Sequence, residues 1–219
     1  MAEKTPAEIP LCVFEYRATF QDPIFAAFER PEIIAGALYH SFREWNVTFE
    51  NISWKALPVN ASDLQIVCDL FNKRVTFTVT LGVVSVLVTN PNWSEAALIE
   101  AIVRSGMSAV QTSTNGLTKE QGATLALHLK PQGESTEEVT ARFRAIPSGP
   151  GIDKDTRAFG FSVYGRDITW LVDLSAIYPG SVFVRTTRVF GPSIPFEEIA
   201  RSLKKDEDDI LEILQLRID

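Results

Sequence analysis

Histidine is scarce in this sequence, in which only His40 and His128 occur. Most acid–base and nucleophilic mechanisms at neutral pH use histidine, so its scarcity leaves few routes to catalysis. His128 alternates with leucines in a strand-like run and His40 flanks the apolar stripe of a helical segment, which favours a structural role for both. No Gly-x-Ser-x-Gly nucleophile elbow occurs, although a Ser/His/Asp triad with distant members stays an open alternative. The sequence therefore predicts no catalytic residue and a protein that is not an enzyme.

Cysteine is equally scarce, and Cys12 and Cys68 each lie inside a strand-like apolar run. We therefore expect reduced thiols in the core and no disulfide framework. Two histidines and two cysteines at unrelated spacings do not make a zinc site, and the acidic run at residues 206–209 lacks the ligand pattern of a calcium loop. Phosphate-loop and dinucleotide-binding fingerprints are absent. The sequence predicts no metal ion and no cofactor, and the acidic run is expected to form a solvated helix face.

The sequence also lacks a long apolar run, and its first residues lack the apolar core of a secretory signal. We therefore expect no membrane-spanning segment and a cytoplasmic protein. Basic residues are fewer than acidic ones, 21 against 28, which gives a net charge of −7. Because an acidic molecule is poorly suited to bind nucleic acid or anionic membrane, neither is expected as a partner.

The clearest pattern that is present covers residues 63–112. Residues 64–70 and 75–81 alternate apolar with polar side chains, which is typical of half-buried strands, and residues 83–88 are apolar on both faces. A helix is predicted to begin near Trp93 and, because of Gly106 and the Ser/Thr run after it, to weaken before Asn115-Gly116. Three antiparallel strands covered by a helix are the simplest interpretation of this stretch.

The remainder of the chain repeats this mixture of strands and helices. Runs of strands separated by helices predict an α+β fold with mainly antiparallel sheet covered by helices. We expect two similar sheet–helix halves, residues 1–118 and 119–219, which could form one continuous domain. The other expected segments are a polar tail over 1–9, strands over 11–20, 46–54, 123–129, 139–145, 159–164, 168–174 and 182–189, helices on both sides of Pro31, and a closing helix from Pro195 with a break at its acidic run.

This order of elements resembles that of a known family. The features that carry the resemblance are the opening strand, the strand–turn–strand that leads into VSVLVTNPNW at residues 84–93, and the closing strands followed by an acidic helix. The layout is similar to that of a sporadically distributed family of uncharacterised bacterial proteins. The resemblance implies a bacterial cytoplasmic protein and brings no activity or catalytic residue with it.

One cluster of charged residues is a candidate binding site. Residues 141–190 carry 7 basic and 4 acidic side chains, in contrast to the acidic remainder of the chain. Within this block Arg142 and Arg144 share one face of a predicted strand, and Arg185 and Arg188 lie near the end of another. Together they could bind an anion or an acidic partner. The alternative is that they lie on a solvated sheet surface and pair with carboxylates of the closing helix.

Two kinds of function fit these observations. The first is a non-catalytic protein-binding or assembly and regulatory module, acting through sheet edges or a helix-covered surface, with a protein partner or a second copy bound. The second is an apolar small-molecule binding protein, or an enzyme, with an enclosed pocket. Either a pocket lining or a packed core would account for the late aromatic residues Phe159, Phe161, Tyr164, Trp170, Phe183 and Phe190.

Overall fold

The structure, a computed structural model, describes residues 4–55, 60–141 and 160–218. Within these residues, ten strands form one mostly antiparallel sheet together with several helices, so the predicted α+β class is confirmed. The chain divides into two compact units. We call Val13–Thr124 with Val189–Arg201 the first unit, and Met1–Cys12 with Leu125–Arg188 and Ser202–Asp219 the second unit. Each unit contains residues from both expected halves, and the division at residue 118 stays a prediction.

The bounds of the elements show long strands near the beginning and the middle of the chain. The strands are β1 (Thr5–Phe20), β2 (Ile52–Trp54), β3 (Gln65–Leu70), β4 (Val75–Thr80), β5 (Val83–Thr89), β6 (Thr118–Pro131), β7 (Phe161–Tyr164), β8 (Ile168–Leu174), β9 (Val182–Phe190) and β10 (Leu216–Ile218). The helices are α1 (Ala26–Glu29), α2 (Pro31–Phe42), α3 (Ala96–Thr114), α4 (Thr136–Ala141) and α5 (Phe196–Leu214).

In the first unit the strands lie in the order β2-β3-β4-β5-β1-β6. The alternation of β4 buries Val75, Phe77 and Val79 and leaves its threonines partly exposed, as its period of two predicts. Helix α3 approaches this sheet closely at Gly106, because a Cβ atom there would lie 2.2 Å from Cε2 of Phe77. The predicted strands and helix of residues 63–112 are therefore confirmed, and α3 continues through Gly106 to Thr114.

In the second unit the order is β6-β9-β8-β7, and β10 pairs in parallel with the first residues of β1. Strand β9 buries Val182, Val184 and Thr186 on one face. Asp206 of α5 contacts Arg188 on that same face, which places this part of α5 against β9. The buried residues of α5 in this unit are Leu203, Asp206, Glu207, Ile210, Leu211 and Leu214.

Two predicted strands are wrong because local capping favours helical turns. The expected strand over residues 46–54 is a strand only at β2, since Thr48 and Asn51 form a reciprocal cap on a short 3₁₀ turn. The expected strand over 139–145 is helix α4 as far as Ala141, and its remainder lies outside the described residues. Ser135 and Glu138 form the capping box that begins α4, with the Ser135 amide 2.8 Å from Glu138 Oε2.

Two further expectations are wrong because distant segments pair with each other. The polar tail becomes strand from Thr5, where residues 5–7 pair with residues 216–218 of β10. The acidic run at 206–209 does not break α5 and is not wholly solvated, because Asp206 and Glu207 are buried. Asp206 lies on the apolar stripe of α5, and its charge is compensated by Arg188.

Candidate functional site

The structure does not bring Arg185 and Arg188 together. They are three residues apart on β9, and side chains at odd spacings along a strand point to opposite faces of the sheet. Arg185 is exposed on the face away from α5, and it stays a candidate anion-binding residue. Arg142 and Arg144 lie outside the described residues.

Arg188 forms a bidentate ion pair with Asp206. Its Nε lies 2.6 Å from Oδ2 and its Nη2 lies 2.6 Å from Oδ1 of that carboxylate, which has no exposed surface. The hydrogen bond to Asp206 raises the pKa of Arg188 above its ordinary value, and burial opposes this increase. Because both partners satisfy each other, this geometry favours the structural alternative for Arg188.

A different feature of the same unit is the outer side of β7, whose backbone groups have no partner among the described residues. Strands β7 and β8 form an antiparallel hairpin in which Val163 lies opposite Trp170, and the Gly165 amide donates to the Ile168 carbonyl at 2.8 Å. Antiparallel pairs alternate between hydrogen-bonded and non-hydrogen-bonded positions. Because Gly165 is hydrogen-bonded to β8, the alternation makes Val163 and Phe161 the β7 residues whose backbone groups bond to β8. The N–H and C=O groups of Ser162 and Tyr164 therefore point away from β8.

These outward groups of Ser162 and Tyr164, which we call the β7 edge, have no hydrogen bond to any residue of the described ranges. The side chains around them are accessible, with Val163 44% and Tyr164 79% exposed. The strand contains no lysine or proline, the residues that usually prevent an edge strand from pairing with another chain. Among the described residues, the β7 edge therefore lacks the features that usually prevent strand pairing.

Glycine at position 160 fixes where β7 begins. Its φ angle is +83°, in the region that favours glycine, and a Cβ atom there would lie 2.2 Å from the Val172 carbonyl oxygen. Only glycine allows the chain to approach β8 this closely. The turn at Gly160 and the hairpin loop after Tyr164 therefore hold the four residues of β7 in register beside β8.

The strand at the far end of the first unit's sheet is less suited to pairing. Strand β2 has only three residues, and Trp54 at its end is 38% exposed. Beside it, Lys55 Nζ forms an ion pair with Asp63 Oδ2 at 2.8 Å. Short edge strands with charged neighbours are a common way to prevent strand addition. Of these two strands, β7 is the better candidate for a binding edge.

His128 takes part in a buried structural cluster. Its Nδ1 lies 2.8 Å from Ser175 Oγ, and its ring contacts Tyr178 and Phe183 with centroids 5.2 Å and 5.0 Å away. Ser175 Oγ also accepts the amide hydrogens of Ile177 and Tyr178, so its own hydrogen is available for His128. This arrangement fixes the loop between β8 and β9. The serine hydroxyl is used in capping that loop, which supports the structural role expected for His128.

Burial lowers the pKa of His128 below its ordinary value, because the enclosed ring is less well solvated when charged. The unfolded chain therefore binds a proton at a higher pH than the folded protein does. We expect this group's contribution to lower the free energy of unfolding as the pH falls below about 6.5, the ordinary histidine value. Urea unfolding at pH 7 and pH 5 should show a larger loss for the wild type than for His128→Asn. Equal losses in both proteins would contradict this assignment.

The late aromatic residues do not line a common pocket. The alternation along β7, β8 and β9 places Tyr164 and Phe183 on one face of the sheet and Trp170 on the other. Phe159 lies outside the described residues. In the first unit an apolar depression beside Phe14 and Phe196 leaves about 20 Å³, roughly the space of one water molecule. This depression is too small for an apolar small molecule, while open depressions of about 250 to 320 Å³ elsewhere in the first unit are lined by both polar and apolar side chains.

Neither a metal site nor a membrane-spanning helix is found in the parts of the chain that the structure describes. No three histidine, cysteine, aspartate or glutamate side chains there are grouped so that they could hold a metal ion. No helix there has the length and apolar character needed to cross a bilayer. The two thiols are not joined in a disulfide, and burial raises the pKa of both Cys12 and Cys68 to about 12.

Sequence reasoning predicted the strand that contains Ser162 and Tyr164, but it did not single out Ser162 and named Tyr164 only as an aromatic residue of a pocket or core. A signal was present, because the strand has apolar residues without a charge or proline and ends in the turn Gly165-Arg166-Asp167. What the sequence does not contain is the information that β7 ends the described strand order.

Comparison with known proteins adds little to this geometry. No protein-family model matches the chain, and no curated protein matches it. Among solved structures, the crystal structure of an unknown protein from Galdieria sulphuraria is 13% identical and covers 92% of this chain and 94% of that chain, with a TM-score of 0.13. Because of that low TM-score, this likeness carries no argument about fold or function.

Proposed function

We propose that this protein is a non-catalytic binding or assembly module that recruits a protein partner by strand addition at the β7 edge. The observation that carries the proposal is the outward orientation of the Ser162 and Tyr164 backbone groups, without hydrogen-bond partners in the described residues. Unpaired strand edges are the usual site of such recognition. A cytoplasmic location is part of the proposal, and the two thiols, which are not joined in a disulfide, support it.

The energetics favour a reversible interaction. An added strand could form four backbone hydrogen bonds with the two outward residues. At a net value of about 1 kcal/mol each, these bonds alone correspond to a dissociation constant of roughly 1 mM. Tyr164 and Val163 are largely exposed, and their burial under a partner adds about 25 cal/mol for each Å² of apolar surface. The loss of translational and rotational freedom on association opposes these gains, so we expect weak and reversible binding.

Ser162→Pro is expected to weaken binding of the partner without unfolding the protein. The Ser162 amide points away from β8, so Ser162→Pro removes a donor for the partner without removing a bond of the hairpin. We expect binding at least about tenfold weaker, which corresponds to 1.4 kcal/mol or more. The measurement is affinity capture from the host extract with tagged wild-type and variant proteins, followed by quantification of each bound protein, including untagged copies of this chain.

Ser162→Ala is the matched control, because it removes the hydroxyl and keeps the amide donor. It should capture the same partner in the same amount as the wild type does. Thermal unfolding should show similar stability for all three proteins, since none of the changes affects the β7–β8 ladder. If the proline variant retains every partner of the wild type, strand addition at the β7 edge is not the function.

A further inference from the structure

We infer that the partner at the β7 edge is a second copy of this chain, paired antiparallel with the first about a two-fold axis through Val163. This inference rests on the proposed function. It is drawn from the symmetry of the edge itself, because the outward groups of Ser162 and Tyr164 are placed equally on either side of Val163. An edge with this symmetry is complementary to itself.

In this arrangement each outward backbone donor of one β7 strand faces an acceptor of the other. In antiparallel pairing centred on Val163, Ser162 lies opposite the partner's Tyr164, and Tyr164 lies opposite the partner's Ser162. Both are hydrogen-bonded positions, where the opposed residues exchange two N–H···O bonds. Two such positions give four hydrogen bonds, so each outward donor and acceptor of both strands is used. A shift of register by one residue would oppose outward groups to groups that already bond to β8.

The side chains also match. The two Val163 side chains meet at the central non-hydrogen-bonded position, where opposed side chains are closest. Each Tyr164, which is 79% exposed in the single chain, covers the partner's small Ser162 on the other face. The strand itself has no charged residue, and Arg166 at the turn lies opposite the partner's Gly160. Within the described residues, the pairing therefore brings no like charges together.

A cysteine at position 163 tests this geometry directly. Opposed residues at a non-hydrogen-bonded position have Cα atoms about 4.5 Å apart, within the range that a disulfide spans. We expect Val163→Cys to form a disulfide-linked dimer under mild oxidation. Ser162→Cys is the matched control, because the two cysteines would be offset by two residues along the strand. Their Cα atoms would lie roughly 8 Å apart, too far for a disulfide.

The outcomes separate this inference from the function on which it rests. Two results support the second copy. Val163→Cys forms a covalent dimer while Ser162→Cys and the wild type form little, and light scattering shows a wild-type dimer that Ser162→Pro dissociates. Absence of cross-linking in Val163→Cys, with a strictly monomeric wild type, overturns it. In that case the proposed function still stands if Ser162→Pro loses a different captured protein. If Ser162→Pro loses nothing, both proposals fail.

Discussion

Replacing Asp206 by alanine is expected to lower the free energy of unfolding by about 3 kcal/mol, the lower end of the range for breaking a buried ion pair. The carboxylate has no exposed surface and accepts two hydrogen bonds from Arg188, whose side chain is 27% exposed. Its removal leaves a guanidinium that is mostly shielded from water and has lost its counter-charge. We expect a loss at the lower end of that range because the Arg188 side chain is partly exposed, so water can solvate it in part. Urea unfolding at pH 7 measures the change.

Asp208→Ala is the control on the same helix. Its carboxylate is 60% exposed and pairs with Lys204 Nζ at 2.9 Å, so its loss should cost less than about 1 kcal/mol. A second variant, with Asp206→Leu and Arg188→Met combined, should recover most of the lost stability, because no unpaired charge is left. The assignment would be contradicted if Asp206→Ala and Asp208→Ala were equally mild.

Alanine at Gly106 is expected to destabilise the protein by about 1 to 3 kcal/mol, the usual cost of overpacking a core. Glycine to alanine inside a helix ordinarily gains about 1 kcal/mol. Here the added methyl would lie 2.2 Å from Phe77 Cε2 and 2.9 Å from Phe42 Cζ, so α3 or the rings must move. Both rings are fully buried and have little room to give way.

Gly36 in α2 provides the opposite case. An added Cβ atom there meets nothing within 4 Å, so Gly36→Ala should stabilise the protein by about 0.5 to 1 kcal/mol. Thermal unfolding of the two variants should thus shift the midpoint in opposite directions, by roughly 2 to 4 °C for each kcal/mol. A higher midpoint for Gly106→Ala than for the wild type would show that α3 does not pack on β4 as described.

Local periodicity accounts for the parts of the fold that the sequence predicted. Strand β4 and helix α3 have strong patterns of period 2 and 3.6, and both lie where they were expected. Ser135 and Glu138 carried a readable capping signal for α4. The pairing of the chain's first strand residues with β10 had no local signal, because it joins residues more than 200 positions apart.

The candidate site was harder to predict for the same reason. That Asp206 lies on the apolar stripe of α5 follows from its spacing of three from Leu203 and four from Ile210. Its partner Arg188 does not follow, since the contact depends on how a helix packs on a strand. Likewise, the sequence predicts β7 as a strand, but only the order of strands shows that one of its sides has no neighbour among the described residues.

The proposed function lies on the backbone of one short strand, β7. The arginine pair Arg185 and Arg188 is divided between two faces of the sheet, and His128 is held in a structural cluster. The β7 edge differs from these features because its groups are oriented outward and are not used within the described residues. This contrast is the basis for the binding role proposed for the β7 edge.

Amide hydrogen exchange at Ser162 and Tyr164 is the most direct test of that role. In dilute protein without partner, both amides should exchange quickly, because they point to solvent. In the assembled or partner-bound state both should be protected, while the Val163 amide, bonded to β8, should be protected in both states. Fast exchange of Ser162 and Tyr164 in the assembled state, or protection already in the isolated monomer, would contradict strand addition at the β7 edge.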